Sequence, residues 1–243
     1  MNFPEALLDV LRRARHVCVL TGSGVSAESG VPTFREAQTG LWEQYDPHEL
    51  ATPEAFVRDP VLVWRWYNWR RELVADADPN PGHHALASLA GLVPRLTIVT
   101  QNVDGLHQRA GSDGVIEFHG NIFENRCFAE GCIVDGAELS AAVPACPGCG
   151  GNLRPGVVWF GEAIPTAAID AATAAVEDCD VFISIGTSSL VWPAAGLAET
   201  AKRRGAILVE VNPATTPLSV SCDFCLTGKS GAVLPELVDC LAL

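Results

Sequence analysis

The chain has 243 residues, 48% hydrophobic and 19% charged, long enough to bury a sizeable core and too apolar for a disordered polymer. Its formal net charge of −13 argues against direct nucleic-acid binding, which relies on Lys and Arg to neutralise phosphates. No apolar run has bilayer-spanning length and the N-terminus lacks a signal-peptide core, so the expected location is cytoplasmic with no membrane partner; nine cysteines there favour metal ligation or reduced thiols over disulfides.

Glu5 to Arg15 has the apolar spacing of an amphipathic helix and leads into a β-rich strand starting at Val17. Directly after it, Gly22, Gly24 and Ala27 fit G-x-G-x-x-G/A, a pattern whose bare amides approach a pyrophosphate at a helix N-terminus, or which serves only a strand-to-helix turn. A dinucleotide fold usually places an acid about 20 residues on, after a second strand, to hold a ribose. Glu43, Asp46 and Glu49 lie at that distance with nothing strand-like before them, so the ribose partner must come from elsewhere. The segment through about Pro81 reads as turns and helices, with starts at Thr52-Pro53-Glu54 and Asp59-Pro60. A helix around His83 to Leu92 follows, then strands at Leu96 to Asn102 and Gly114 to Gly120, and a cysteine-rich interruption from about Asn121 to Pro155. After VVWFGE come a helix from Thr166 to Glu177, a strand from Val181 to Ser188, a helix to Arg204 and a strand from Ala206 to Asn212. Strands alternating with helices predict an α/β fold with a parallel, doubly wound sheet.

Cys127-x4-Cys132 and Cys146-x2-Cys149 offer four thiolates for one tetrahedral structural zinc ion, a donor set that leaves no open position for catalysis. Cys222-x2-Cys225 lacks a second pair and reads as ordinary packing or a redox-sensitive pair. Three strand ends finish in ligand-friendly residues: Gln101, Asn102 and Asp104; Gly186, Thr187 and Ser188; and Asn212, a replacement for the missing ribose acid. His119 ends a strand on the same rim, where an imidazole of pKa about 6.5 could serve as a general base; His16, His48, His83, His84 and His107 read as satisfied core histidines. On the helix from Val61 to Val74, Val63, Tyr67, Arg70 and Val74 form one stripe and Leu62, Trp66, Trp69 and Leu73 another, with Arg70 the only charge on either. Arg70 is therefore either a buried carboxylate partner, with the Tyr67 hydroxyl as a second donor, or a packed stem with a solvated head.

The ordered set GSGVSAESGVPTFR, TQNVDGLH, FHG, the cysteine pairs, VVWFGE, IGTS and VEVN resembles the sirtuins, NAD-dependent protein-lysine deacylases, over nearly the whole chain. The resemblance implies a Rossmann-type NAD-binding large domain (1–35, 82–120 and 156–243) and a small domain made from a helical insertion (36–81) and a zinc-binding insertion (121–155). It places Gly22, Ser23, Gly24, Ser26, Ala27, Glu28, Pro32, Thr33, Phe34, Arg35, Trp42, Gln101, Asn102, Val103 and Asp104 around the co-substrate NAD. Gly186, Thr187, Ser188, Asn212, Pro213 and Ser230 would take its phosphates and adenosine end. His119 becomes the catalytic base, aided by Asn102 and Asp104, and Val158, Trp159, Phe160, Gly161 and Glu162 the strand that pairs with an acyl-lysine protein substrate. Tyr67, Arg70 and Ala37 resemble the class III, sirtuin 5-like members, which remove succinyl and malonyl groups. Ser23, where the family more often has alanine, and the wide Cys127-x4-Cys132 spacing depart from the family pattern. A protein mono-ADP-ribosyltransferase and a non-catalytic NAD-sensing module are the alternatives, and a monomer is compatible with all three.

Overall fold

The computed structural model describes residues 3–32, 45–136 and 141–243. Six parallel strands form its main sheet: β1 (Val17–Thr21), β2 (Leu96–Thr100), β3 (Ile116–Glu117), β6 (Val181–Ile185), β7 (Ile207–Asn212) and β8 (Phe224–Thr227), in the order β3-β2-β1-β6-β7-β8. β4 (Gly120–Cys127) and β5 (Leu153–Val157) make a separate antiparallel pair. β1 and β6, in the centre, are buried along their whole length, as a sheet covered on both faces requires.

Two apolar layers cover the sheet. On one face Val17, Val19, Ile183, Ile185, Val209 and Val211 pack against α1 (Glu5–Arg13), α6 (Pro81–Leu89) and α10 (Ser230–Leu241). On the other, Cys18, Leu20, Val99, Phe182 and Leu208 meet α8 (Thr166–Asp178) and α9 (Ala195–Arg203). The remaining helices are short, α2 (Ser23–Ser26), α3 (Pro47–Leu50), α4 (Pro53–Arg58) and α7 (Leu106–Arg109), except for the seventeen-residue α5 (Pro60–Asp76).

A third core is aromatic and lies off the sheet. Phe56 of α4 and Val63, Trp64, Trp66 and Tyr67 of α5 pack with Ile122 and Cys127 of β4, Leu153 of β5, and Trp159. The two sequence interruptions thus share one interior. Arg71 fastens it, its guanidinium donating to the carbonyls of Ile122 (2.6 Å) and Glu124 (2.9 Å) and to Asn125 Oδ1 (3.0 Å). The helix starts fall where the sequence puts them: Thr52 Oγ1 accepts from the Ala55 amide (3.1 Å) and Asp59 Oδ1 from the Leu62 amide (2.9 Å).

Several boundaries differ from the sequence reading. β2 stops at Thr100 and β6 at Ile185, so the polar residues lie just past the strand ends. The strand expected over Gly114 to Gly120 is reduced to Ile116–Glu117. Residues 158–162 are a turn rather than a strand, because Glu162 reaches back to accept from the Trp159 amide (2.8 Å) and is itself held by Arg154. No helix among the described residues is long and apolar enough to cross a membrane.

Candidate active site

The carboxyl ends of β1, β2 and β6 converge, and the glycines there are required by contact. A Cβ on Gly24 would sit 2.7 Å from the Gly186 carbonyl oxygen, and one on Gly186, at φ 60°, would sit 2.6 Å from the Val25 nitrogen. The glycine loop and the loop after β6 therefore touch backbone to backbone, with the Gly24 amide donating to the Gly186 carbonyl at 2.8 Å. Gly22 and Gly24 are also the two glycines of the G-x-G-x-x-A pattern.

Behind the loops lies a buried polar lattice. Asn102 Nδ2 donates to the Gly22 carbonyl (3.1 Å) and to Ser26 Oγ (3.0 Å), and Ser26 donates onward to Asp104 Oδ2 (2.7 Å). Gln101 Nε2 reaches Thr187 Oγ1 at 3.1 Å, joining β2 to β6, and Val103 accepts the Ile122 amide at 2.8 Å. Burial pushes the Asp104 carboxyl up, opposed by the Leu106 amide, the Ser26 hydroxyl and the charge of Arg70.

The lattice rests on two histidines stacked 4.9 Å apart, edge to face. His83 Nδ1 accepts from the Asn80 amide (3.3 Å), so its Nε2–H faces Ser26 Oγ (3.5 Å); His107 Nε2 meets Thr21 Oγ1 at 2.9 Å. Desolvation holds both neutral, lowering His83 to about 3 and His107 to about 4. They are core histidines, as the sequence reading has them, and they orient the loop that carries Ser26.

His119 is placed by Gly120, whose φ of 77° and position, where an added Cβ would lie 2.1 Å from the Gly156 oxygen, exclude any side chain. Its Nδ1 lies 3.1 Å from the Gln101 carbonyl, which fixes the proton on Nδ1 and leaves Nε2 as the basic nitrogen. Burial lowers its pKa and the Gln101 bond partly restores it. Neutral at physiological pH, the imidazole accepts a proton.

Tyr67 and Arg70 flank this region on α5. The buried Tyr67 hydroxyl accepts from Trp159 Nε1 (2.9 Å), so its own proton is left for another acceptor, and desolvation pushes its pKa up to about 12. The half-buried Arg70 guanidinium lies 5.2 Å from the Trp66 ring centre and feels the charge of Asp104. Trp159 is sandwiched by Arg154, whose guanidinium lies 3.4 Å above its ring. Arg154 also forms an ion pair with Glu162, and that carboxylate fixes the turn. Val158 donates to the His119 carbonyl (2.8 Å) and Phe160 to Ala51 (2.9 Å), while the Phe160 and Gly161 side of the turn is exposed.

The outer members of the rim are mixed. Ser23 and Ala27 are exposed and Pro32 and Ser188 half-buried. Glu28 accepts from the Gly231 amide (2.8 Å) and the Ser230 hydroxyl (3.4 Å), so these two residues join the glycine loop to α10. Asn212 commits its Nδ2 to Ala214 (3.0 Å), with Pro213 exposed beside it. Thr33, Phe34, Arg35, Ala37 and Trp42 lie outside the described residues.

Of the four cysteines expected at one metal ion, Cys127, Cys146 and Cys149 are gathered, with sulfurs within 4.8 Å of one another. Cys132 is not among them. The four residues between Cys127 and Cys132 close a wide turn, Gly131 N to Cys127 O and Cys127 N to Cys132 O both 2.9 Å, and Cys132 sits exposed at its end. Three soft donors suit zinc and need one more ligand.

The sequence pattern of the Sir2 family matches residues 22–193. This chain belongs to the Sir2 family. It is 53% identical to an NAD-dependent protein deacylase of Methylococcus capsulatus over 99% of this chain and 98% of the relative. Among solved structures, it resembles a Sir2 homologue crystallised with NAD at a TM-score of 0.92 and 46% identity, covering 99% of this chain and 94% of that one. A triply substituted Sir2 homologue in complex with 2′-O-acetyl ADP ribose gives a TM-score of 0.91 and 47% identity, with 99% and 97% covered.

Proposed function

We propose that this chain is an NAD-dependent protein-lysine deacylase that prefers succinyl- and malonyl-lysine to acetyl-lysine. The balanced reaction takes acyl-lysine, NAD and water to free lysine, nicotinamide and O-acyl-ADP-ribose, and NAD supplies the ribose that accepts the acyl group. The observation that carries this reading is His119 with Nδ1 tied to the Gln101 carbonyl and Nε2 left basic, beside the lattice of Asn102, Ser26 and Asp104.

The chain's own residues divide the work. Gly22, Gly24 and Gly186 leave backbone close to a pyrophosphate, with Thr187, Ser188, Asn212, Pro213 and Ser230 toward the adenosine end. Gln101, Asn102, Val103 and Asp104 bound the nicotinamide ribose, with Ser23, Ser26, Ala27, Glu28, Pro32, Thr33, Phe34, Arg35 and Trp42 completing the set of NAD-binding residues. His119 takes the proton of a ribose hydroxyl as that oxygen attacks the acyl carbon, a task worth roughly 10²- to 10⁴-fold. Tyr67 and Arg70 offer an O–H and a guanidinium to a terminal carboxylate, with small Ala37 leaving room for the acyl chain and residues 158–162 alongside the peptide. Cys127, Cys146 and Cys149, joined by Cys132, hold one structural zinc. The shared aromatic core supports assigning 36–81 and 121–155 to a small domain and 1–35, 82–120 and 156–243 to the NAD-binding one.

Mass spectrometry of acyl-lysine peptides incubated with NAD tests the reading. Free lysine and O-acyl-ADP-ribose, formed faster from succinyl than from acetyl peptides, are expected. ADP-ribose attached to a protein acceptor would make the chain a transferase, and bound NAD without nicotinamide release a sensing module.

A further inference from the structure

The outer edge of the sheet holds a second group of donors. Among the described residues β8 pairs with β7 alone, and its register sets Cys225 opposite Glu210. The chain enters β8 from a helical turn at Ser219–Ser221, so that Cys222, Cys225 and Glu210 each present a ligand atom within 4.8 Å of the other two. Glu210 is 3% exposed, Cys222 half-buried and Cys225 exposed, so the group opens to solvent on one side. A buried carboxylate needs hydrogen bonds or a cation to offset lost hydration. Both oxygens of Glu210 accept hydroxyl bonds, from Thr216 and Ser219, and it forms no ion pair among the described residues. The adjoining Ser184, in register with Glu210 on β6, carries a buried hydroxyl with no partner among the described residues.

We propose that Glu210, Cys222 and Cys225 form a second zinc site, separate from Cys127, Cys146 and Cys149. Two thiolates and a carboxylate are a fitting donor set, and three protein ligands leave the fourth tetrahedral position to water. Zinc bonds of about 2.0–2.3 Å place ligand atoms about 3.3–3.8 Å apart, so three atoms already within 4.8 Å of one another need close by no more than roughly 1–1.5 Å. The Thr216 and Ser219 hydroxyls hold the carboxylate in place, the role of an outer shell around a metal ligand. Binding displaces the two thiol protons to solvent and leaves every oxidation state unchanged. The ion would pin β8 to β7 at the Glu210–Cys225 pair.

Reduced, full-length protein is loaded with zinc, freed of excess, and its metal counted by mass spectrometry for the wild type and C222S/C225S. The double variant should retain one ion fewer per chain. Cobalt loading should give a thiolate charge-transfer band that is weaker in the variant, and E210Q should lower the affinity of that ion at least tenfold while leaving the fold intact by circular dichroism. Equal metal content in wild type and C222S/C225S would overturn the site, as would reduced wild type that forms a Cys222–Cys225 disulfide on oxidation yet takes up no ion lost in the variant.

Discussion

The two sides of the cleft are built on different physics. At the sheet rim, orientation comes from hydrogen bonds between elements: Asn102 is held by Gly22 and Ser26, Gln101 by Thr187, and His119 by Gln101. On α5, Tyr67 takes one hydrogen bond from the Trp159 indole and Arg70 lies against the Trp66 ring, both within an aromatic core. A hydrogen-bonded lattice fails steeply when one member is removed, because its partners stay buried and unsatisfied. An aromatic wall changes affinity in steps. The rim should therefore decide whether reaction occurs, and α5 which acyl group is taken.

The largest expected effect is on the rim. His119→Ala should lower deacylation by roughly 10²- to 10⁴-fold while leaving thermal stability near wild type, since the side chain makes a single bond to a carbonyl. Retained turnover would move the base elsewhere. On the α5 side, Arg70→Met should cut kcat/KM for succinyl peptides by roughly tenfold to a hundredfold, the worth of a charge-assisted bond, and leave acetyl peptides within a few-fold. An unchanged succinyl-to-acetyl ratio would remove acyl choice from this wall. Tyr67→Phe should be milder toward succinyl peptides, yet it strands the buried Trp159 Nε1, so unfolding stability should fall by about 1–3 kcal/mol. A fully stable Tyr67→Phe protein would mean that the indole finds another acceptor.

How far the sequence reached depends on the range of the interaction. The helix starts at Thr52 and Asp59 were legible because a cap bonds only three residues ahead. The position of Gln101, Asn102 and Thr187 just past strand ends was legible because hydrophobic runs reveal where parallel strands stop. Arg71 and Arg154 were not, since their carbonyl, carboxylate and ring partners depend on how β4, β5 and the turn at 158–162 come together. The same holds for Glu210, which reads as one more residue of VEVN until β8 brings Cys225 beside it. β8 and α10 gave weak signals, a four-residue edge strand and a helix containing Pro235. At 158–162 the family resemblance implies a strand where the chain turns, because nothing local announces that Glu162 folds back to the Trp159 amide.

The smallest effect probes the layer behind the rim. His83 keeps Nδ1 as an acceptor for the Asn80 amide, and His107 has an Nδ1 that is buried without a partner among the described residues. Protonating either nitrogen would break a helix cap in the first case and bury an unpaired N–H in the second. The native state therefore stays neutral down to about 3 and about 4, whereas the unfolded chain takes up protons below about 6.5. Over that window the unfolded state binds more protons, so stability is fully present above it and is lost as pH falls through it. Between about pH 7 and about pH 6 the two groups together should cost about 1 kcal/mol, a fall in Tm of about 2–4 °C for a chain of this size. Differential scanning calorimetry at the two pH values reads this directly, and His107→Gln should flatten part of the slope. A Tm that holds or rises on acidification would mean that the histidines find solvent or an acid in the native state, and that the rim rests on something softer than a neutral buried lattice.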